Sequence, residues 1–265
     1  MKEKIAVLGP KGTFTENAAR KLFKNPSLVY MDDAIDVFRF VDRGKGKGVI
    51  AIENSLEGSV SKNMEGLMEY DVKICGEATL DINLCLMKNK NGNQVRRIIS
   101  HPHALAQCKN YLRRRYPEAM LQASDSTSAA MQQLRKTINS AAIGPKESAK
   151  IYGLQILAKN IQDDKSQTRF IAISKKEGCF SRKKGKTSLI YAVKDKPGAL
   201  FNTMKIFADN KVNLTKIESR PSRRKLGEYI FYIDFENKGL GSEGVKRILQ
   251  KIRKETSFLK NLGSY

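Results

Sequence analysis

The chain has 265 residues, 40% of them hydrophobic, which is enough to bury the core of one large domain or two modest ones. It contains no run of 18 or more apolar residues and no signal-peptide pattern at its start, so we expect no membrane-spanning helix. The net charge of +22 first suggests nucleic acid, but the basic residues are spread along the chain without a nucleic-acid-binding motif. We therefore expect a solvated basic surface, which would attract small polyanionic substrates, and no nucleic-acid partner.

The cysteines indicate the redox environment. Cys75, Cys85, Cys108 and Cys179 show no CxxC spacing. Cysteines without such spacing usually behave as small buried hydrophobic residues in a reducing compartment. The sequence therefore predicts free thiols and a cytoplasmic protein.

The first two thirds of the chain alternate between strand and helix patterns. Amphipathic or capped helix patterns follow several of the strands, as in STSAAMQQLRK. This alternation predicts an α/β domain with largely parallel strands. The strand patterns, in chain order, are KIAVLG, GVIAIENS, CGEATLDINLCLM, VRRIIS, SAAIG and TRFIAIS.

A second domain follows a charged, glycine-containing stretch, Lys175–Lys186, which is typical of a linker. After it the order of patterns is β-α-β-β-α, with room for a short final strand, and this fits a ferredoxin-like βαββαβ unit. We place the first domain at residues 1–178, the linker at 179–186 and the second domain at 187–265.

Two polar segments follow strands early in the chain. GPKGTFTENAA is a glycine loop that could present backbone N–H groups to an anion, although it is neither a P-loop nor GxGxxG, and Thr13 and Thr15 could simply cap the helix. In AIENSLEGSV, Glu53–Ser55 follow an apolar strand directly. Open α/β sheets bind ligands at the carboxyl ends of their strands, so this segment is either a ligand site or a polar turn closed by Gly58.

Three further segments of the first domain contain candidate functional residues. SHPHALAQC holds both histidines, His101 and His103, but its spacing matches no standard zinc site, so we predict a polar turn in a cleft and no metal. SDSTSAA offers more hydroxyls than helix capping needs, which indicates an anion site. In QTRF, Thr168 and Arg169 precede the buried strand Phe170–Ile173, where polar residues are also ordinary.

In this order the segments resemble the prephenate dehydratase family, which carries GPxGTF, ENSxxG, SHPQxLxQC, STSAA and TRF segments, then an ACT domain with GALx and ESRP segments. Each has a counterpart here, and the resemblance covers essentially the whole chain. It implies a two-lobed α/β catalytic domain like a periplasmic binding protein, followed by a ferredoxin-like ACT domain. It also implies a monofunctional hydro-lyase that converts prephenate to phenylpyruvate, is inhibited by L-phenylalanine and forms a homo-oligomer, a dimer or tetramer.

The resemblance also assigns residues. Because aromatisation of the ring drives the reaction, no metal or organic cofactor is expected. Thr168 is implied as the hydrogen-bond donor to the departing hydroxyl, a role worth roughly 100- to 10,000-fold. Arg169 could hold a substrate carboxylate or pair with a nearby acid. The other implied residues are Asn54, Ser55 and Gln107 as catalytic, and Thr13, Ser100, His103, Ser126 and Thr127 as substrate-binding.

The second domain is implied to hold the phenylalanine site between two ACT domains. Two departures from the family pattern concern the first domain: His103 stands where Gln is usual, and Ser166 where Asn is usual. An imidazole changes charge near neutral pH and an amide does not. The alternatives are an arogenate dehydratase and a non-catalytic amino-acid sensor. The implied phenylalanine-binding residues are Gly198, Ala199, Leu200, Phe201, Glu218, Ser219, Arg220 and Pro221.

Overall fold

The computed structural model describes residues 3–91, 94–176, 185–222 and 228–265. These residues form two α/β lobes and a smaller α+β domain. In chain order the elements are β1 (Lys4–Leu8), α1 (Phe14–Leu22), β2 (Ser27–Met31), α2 (Ala34–Asp42), β3 (Lys47–Asn54), β4 (Gly58–Ser59), α3 (Ser61–Glu69), β5 (Lys73–Asp81), β6 (Cys85–Lys88), β7 (Arg97–Ser100), α4 (Pro102–Gln107), α5 (Lys109–Arg115), β8 (Met120–Ala123), α6 (Thr127–Leu134), β9 (Ser140–Gly144), α7 (Glu147–Tyr152), β10 (Gln155–Ala158), β11 (Gln167–Ser174), β12 (Lys186–Val193), α8 (Ala199–Asp209), β13 (Leu214–Pro221), β14 (Tyr229–Glu236), α9 (Gly241–Glu255) and β15 (Thr256–Ser264).

The first lobe is built on a sheet with the order β2-β1-β3-β11-β5, to which β4 is added at β3. Strand β1 is parallel to β2 and β3, whereas β11 is antiparallel to both of its neighbours. Alternate residues of β11 point to opposite faces of the sheet. Phe170 accordingly packs on the α1 side, and Ile171 and Ile173 pack on the α2 and α3 side.

The second lobe has the sheet order β10-β6-β9-β7-β8, with β7 parallel to β8 and β9, and β6 antiparallel to β9 and β10. The chain crosses between the lobes after β5 and before β11, and the N–H of Ile82 donates to the carbonyl of Ser166 at 2.8 Å to join the two crossings. The two-lobed architecture is confirmed. The expectation of largely parallel strands holds for most of both sheets, since β5 runs parallel to β1–β3 and β10 runs parallel to β7–β9. Among the described strands of the two lobes, the returning strand β11, the short strand β4 and the crossing strand β6 run in the opposite direction.

The third unit has the predicted βαββαβ order, in a fully antiparallel sheet β13-β14-β12-β15. Its last strand spans nine residues and is longer than the short strand expected. Helices α8 and α9 cover one face. The other face packs on the first lobe, where Ile190, Tyr232 and Leu262 share a core with Ile171 and Ile173. Strand β11 therefore lies directly under this domain.

The cysteines differ from the expectation. Cys75 is disulfide-bonded, so the prediction of free thiols is wrong at this position. Cys85 and Cys108 are buried free thiols, as expected, and Cys179 lies outside the described residues. Most of the predicted linker also lies outside them. In the described part of the chain, no helix is long and apolar enough to cross a membrane.

Candidate active site

Thr168 and Asn54 face each other on the adjacent strands β11 and β3. The two residues are paired in the antiparallel register, and Asn54 Nδ2 donates to Thr168 Oγ1 at 2.9 Å. The Asn54 Oδ1 atom accepts from the backbone N–H groups of Leu56 (2.9 Å) and Glu57 (3.2 Å). These two bonds fix which end of the amide faces Thr168, because only the NH₂ end can donate.

This arrangement leaves the hydroxyl proton of Thr168 to donate elsewhere. A hydroxyl has one donor and two acceptor positions, and Asn54 uses one of the acceptor positions. Among the described residues, the Thr168 O–H group donates no hydrogen bond. The side chain is nearly buried, at 8% exposure, so it is held in place and kept from bulk water. Thr168 can therefore act as a positioned donor.

Ser55 joins the same two strands one residue further on. Its backbone N–H donates to the carbonyl of Gln167 at 2.9 Å, and its hydroxyl accepts from the N–H of Gln167 at 3.0 Å. These bonds hold the start of β11 against the end of β3. Ser55 thus fixes the backbone beside Thr168, and its Oγ is already engaged there.

The turn after Ser55 reaches the second lobe. Gln107 Nε2 donates to Glu57 Oε1 at 2.9 Å, and Nδ1 of His103 contacts the other oxygen, Oε2, of the same carboxylate. Both partners belong to α4, where residues four apart lie on one face of the helix. His101 caps this helix by accepting from the N–H of His103 at 3.3 Å, and burial together with His103 lowers the pKa of His101. The histidines therefore build a turn at the cleft.

The glycine loop after β1 is a structural support in this structure. Thr13 caps α1, accepting from the N–H of Glu16 at 3.2 Å and donating to the carbonyl of Leu8 at 3.1 Å. Gly12, at a φ of +90°, donates to buried Glu16 at 2.8 Å. Although burial opposes it, this bond and the neighbouring Arg20 lower the pKa of Glu16, so that carboxylate stays charged.

The same loop touches α7 of the second lobe. Ser148 Oγ donates to the carbonyl of Gly12 at 3.2 Å, and the hydroxyl of Tyr152 donates to the carbonyl of Lys11. Besides the chain crossings, hydrogen bonds at α7 and at α4 therefore join the two lobes within the described part of the chain. The loops that follow the parallel strands β1 and β3 thus contact the helices that follow β9 and β7, at the carboxyl ends of these strands, which is where α/β sheets bind ligands.

The predicted hydroxyls of the second lobe have mixed positions. Ser100 is fully buried and donates to the carbonyl of Ile143 at 2.8 Å, so it braces β7 against β9 rather than facing a ligand. Ser126 caps α6 by accepting from the N–H of Ala129 at 3.0 Å. Thr127 is the first residue of α6 and is half-buried. Of these three, only Thr127 has a hydroxyl without a structural hydrogen bond among the described residues.

Arg169 points to the opposite face of the sheet from Thr168. It contacts Asp234 Oδ2 at 2.5 Å, Glu77 Oε2 at 2.6 Å and the hydroxyl of Tyr265 at 2.8 Å. Ser188 donates to the other oxygen of Asp234. The second alternative for Arg169, pairing with nearby acids, is the one present, and it ties β11 to the third domain.

Burial shapes the charges in this Arg169 network. Although burial opposes it, Asp234 and the Tyr265 hydroxyl raise the pKa of Arg169, so the guanidinium stays protonated. Burial also works against the carboxylate of Glu77, but Arg169 and Lys186 lower its pKa. The pKa of Tyr265 is raised, chiefly by burial, so its hydroxyl remains a neutral donor or acceptor.

The segments implied to bind phenylalanine line two different cavities in one chain. Gly198–Phe201 line a cavity of about 340 Å³ together with Tyr229 and Phe231. Glu218–Pro221 line another of about 360 Å³ beside Ser61 of the first lobe. Along β13 the side chains alternate, so Glu218 and Arg220 face the first lobe whereas Ser219 and Pro221 are exposed.

Sequence reasoning missed residues that the fold brings to this region. Glu57 lies in the same segment as Asn54 and Ser55, but its sequence pattern predicts only a polar turn. A carboxylate three residues beyond Asn54 was the signal that could have found it. Glu77, Asp234 and Tyr265 are distant in sequence, and nothing in their local patterns distinguishes them.

The comparisons with known proteins agree with this architecture. Residues 5–178 match the family model described as prephenate dehydratase, and residues 187–254 match the model of the ACT domain. A prephenate dehydratase of Methanocaldococcus jannaschii is 43% identical over 266 residues, covering 97% of this chain and 95% of that protein. One of Lactococcus lactis subsp. lactis is 36% identical over 271 residues, covering 99% and 97%. The crystal structure of a prephenate dehydratase from Arthrobacter aurescens in complex with L-Phe has a TM-score of 0.89 at 30% identity, covering 99% of this chain and 89% of that one.

Proposed function

Because the chain belongs to the prephenate dehydratase family, we propose that it converts prephenate to phenylpyruvate with release of water and carbon dioxide. The observation that carries the proposal is the Asn54–Thr168 pair, in which a nearly buried hydroxyl is held by one amide and keeps its proton free. The pair lies at the carboxyl end of β3, on the cleft between the lobes.

The chemistry needs a donor and little else. The ring carboxylate leaves as carbon dioxide, its bonding electrons enter the ring, and the ring hydroxyl leaves as water after taking up one proton. Thr168 donates its hydrogen bond to that leaving oxygen, and Asn54 keeps the hydroxyl in place while the charge develops. Threonine is a poor acid, so Thr168 acts as a positioned donor rather than as a titrating group.

The roles of the remaining predicted residues divide by their contacts. Gln107, His103 and Thr127 are the second-lobe residues that we propose to meet the substrate. Gln107 and His103 contact Glu57 of the first lobe, and Thr127 begins α6 just after the carboxyl end of β8. Thr13, Ser55, Ser100 and Ser126 support the backbone around them. Arg169 acts from the other face of the sheet, so we assign it no contact with the substrate.

The direct test offers the purified protein prephenate and arogenate in parallel. Phenylpyruvate formed from prephenate supports the proposal, and a higher kcat/KM for arogenate, with phenylalanine as product, would favour the arogenate alternative. No turnover of either substrate, together with tight phenylalanine binding, would identify a sensor instead.

The ACT domain supports regulation by L-phenylalanine. The loop before α8 turns at Gly198, with a φ of +77°, and directs backbone N–H groups of an 11-residue helix towards the cavity beside Phe201. Such an N-terminus suits an amino acid's carboxylate. Strand β13 is an edge strand with exposed Ile217, so a second copy pairing there would bring Ser219 of one chain to the Gly198 loop of the other. The site is proposed to be completed in a homo-oligomer.

A double variant tests the regulatory site. Gly198→Ala with Ser219→Ala should raise the phenylalanine concentration for half-inhibition at least about tenfold, within the usual coupling of about 1–3 kcal/mol. Gly239→Ala is the matched control, because Gly239 has a similar φ of +82° and equal space for a Cβ atom but lies away from both segments. Unchanged inhibition in the double variant would count against this site.

A further inference from the structure

Glu57 connects the two lobes of the cleft. It lies in the turn between β3 and β4 of the first lobe, and its two carboxylate oxygens contact Gln107 and His103 on α4 of the second lobe. A carboxylate accepting from donors on one helix face holds that helix at a defined distance and angle. The side chain is 30% exposed, so the contact is near the cleft mouth rather than in the core.

The same turn is bonded to the Thr168 hydroxyl through one side chain. Asn54 accepts from the N–H of Glu57 with its oxygen and donates to Thr168 with its nitrogen. Asn54 is an amide that cannot rotate without breaking both sets of bonds. The position of the Glu57 backbone and the orientation of the donor hydroxyl are therefore fixed together.

The far end of the turn is anchored on the ACT domain. The hydroxyl of Ser59 contacts Glu218 and accepts from Lys216 at 2.7 Å, and Arg220 donates to Ser61 Oγ at 2.8 Å. Lys216 also contacts Glu53 at 3.2 Å. Held at both ends, the turn presents Glu57 from a fixed base, so the second lobe is the part that moves when the Glu57 contact breaks.

We propose that Glu57 is a positioning residue that latches the second lobe over the Asn54–Thr168 pair and stabilises the closed cleft. It acts through Gln107 and His103, and it takes no proton from the substrate and gives none to it. Without the latch the open form gains population. The apparent affinity for the substrate then falls in proportion to the fraction of molecules that are closed. The readout by turnover rests on the proposed function.

The kinetic test separates positioning from chemistry. Glu57→Ala should raise KM by about 3- to 10-fold, the size expected for losing two partly exposed contacts to a carboxylate, while kcat falls less than about threefold because bound substrate still closes the cleft. Glu57→Gln, whose amide oxygen can still accept from Gln107, should recover part of the loss. Glu118→Ala, an exposed acid of the second lobe outside the cleft, should leave KM and kcat unchanged. A collapse of kcat with unchanged KM in Glu57→Gln would mean direct acid–base chemistry and would overturn the proposal.

A double-mutant cycle identifies the partner. If Gln107 acts through Glu57, the Glu57→Ala and Gln107→Ala double variant should have nearly the same kcat/KM as the weaker single variant. Effects that multiply would show that the two residues act independently, which contradicts the latch.

Small-angle X-ray scattering tests the latch without turnover. In the absence of substrate, Glu57→Ala should have a larger radius of gyration than the unmodified protein and Glu118→Ala. Equal radii would overturn the proposal. If the unmodified protein does not act on prephenate, the proposed function fails, and the scattering comparison still decides whether Glu57 holds the lobes together.

Discussion

Replacing Arg169 tests whether the arginine of the TRF segment is a structural bridge to the ACT domain. Its side chain is 13% exposed and that of Asp234 is 7% exposed, with 2.5 Å between the charged atoms. Arg169→Met leaves Asp234 buried with only the Ser188 hydroxyl as a donor among the described residues, whereas Glu77 keeps Lys186. Removing one partner of a buried ion pair costs about 3–5 kcal/mol, so we expect a loss of that size in the free energy of unfolding.

The assay is urea unfolding followed by circular dichroism. Replacing both partners, as Arg169→Met with Asp234→Leu, removes the stranded charge and should restore most of the loss. Lys205→Met is the control, because the Lys205–Asp209 pair is more than half exposed and contributes about 0.5 kcal/mol or less. A loss below about 1 kcal/mol in Arg169→Met, or a further loss in the double variant, would show that the Arg169–Asp234 pair is not a buried structural bridge.

Three further predictions concern a lysine, a histidine and a serine. Burial lowers the pKa of Lys260 from 10.5 to about 8. Between these two pH values the unfolded chain holds a proton that the folded chain has lost, so the free energy of unfolding rises with pH. Urea unfolding at pH 7.5 and 9.5 should show a smaller rise for Lys260→Met than for the unmodified protein, and an equal rise would contradict this. His103→Gln, whose side-chain amide can still donate a hydrogen bond to Glu57, should keep kcat/KM within about tenfold of the unmodified protein, and a larger loss would argue against a hydrogen-bonding role for His103. The buried Ser166 hydroxyl has no partner among the described residues, so Ser166→Ala should cost less than about 1 kcal/mol of unfolding free energy, whereas a loss above about 2 kcal/mol would be inconsistent.

Much of the fold could be predicted because its signals are local. The buried run Phe170–Ile173, the α/β alternation and the βαββαβ order follow from apolar patterns and turn residues, whereas the division into two lobes was implied by the family resemblance. The reversed direction of β11 and β6 could not be predicted, since an apolar strand has the same sequence pattern whether its neighbours are parallel or antiparallel. The disulfide at Cys75 was likewise hidden, because cysteine spacing in sequence does not report distance in space.

The candidate site shows the same division. Thr168 and Asn54 could be singled out because each follows or begins an apolar strand, and the fold pairs them. Arg169 and Ser100 also lie at the ends of apolar strands, but Arg169 points to the other face of its sheet and Ser100 points into the core. These directions depend on strand alternation and on partners distant in sequence. Glu57 was overlooked because its importance comes from α4, an element of the other lobe.

The most direct test of the central claim compares Thr168→Val with Thr168→Ser in the conversion of prephenate to phenylpyruvate. Valine matches the shape of threonine without the hydroxyl, whereas serine retains the donor. We predict that Thr168→Val lowers kcat roughly 100- to 10,000-fold with little change in stability, and that Thr168→Ser keeps most of the activity. A Thr168→Val protein that retains kcat within about tenfold would contradict the assignment of Thr168 as the donor to the leaving hydroxyl.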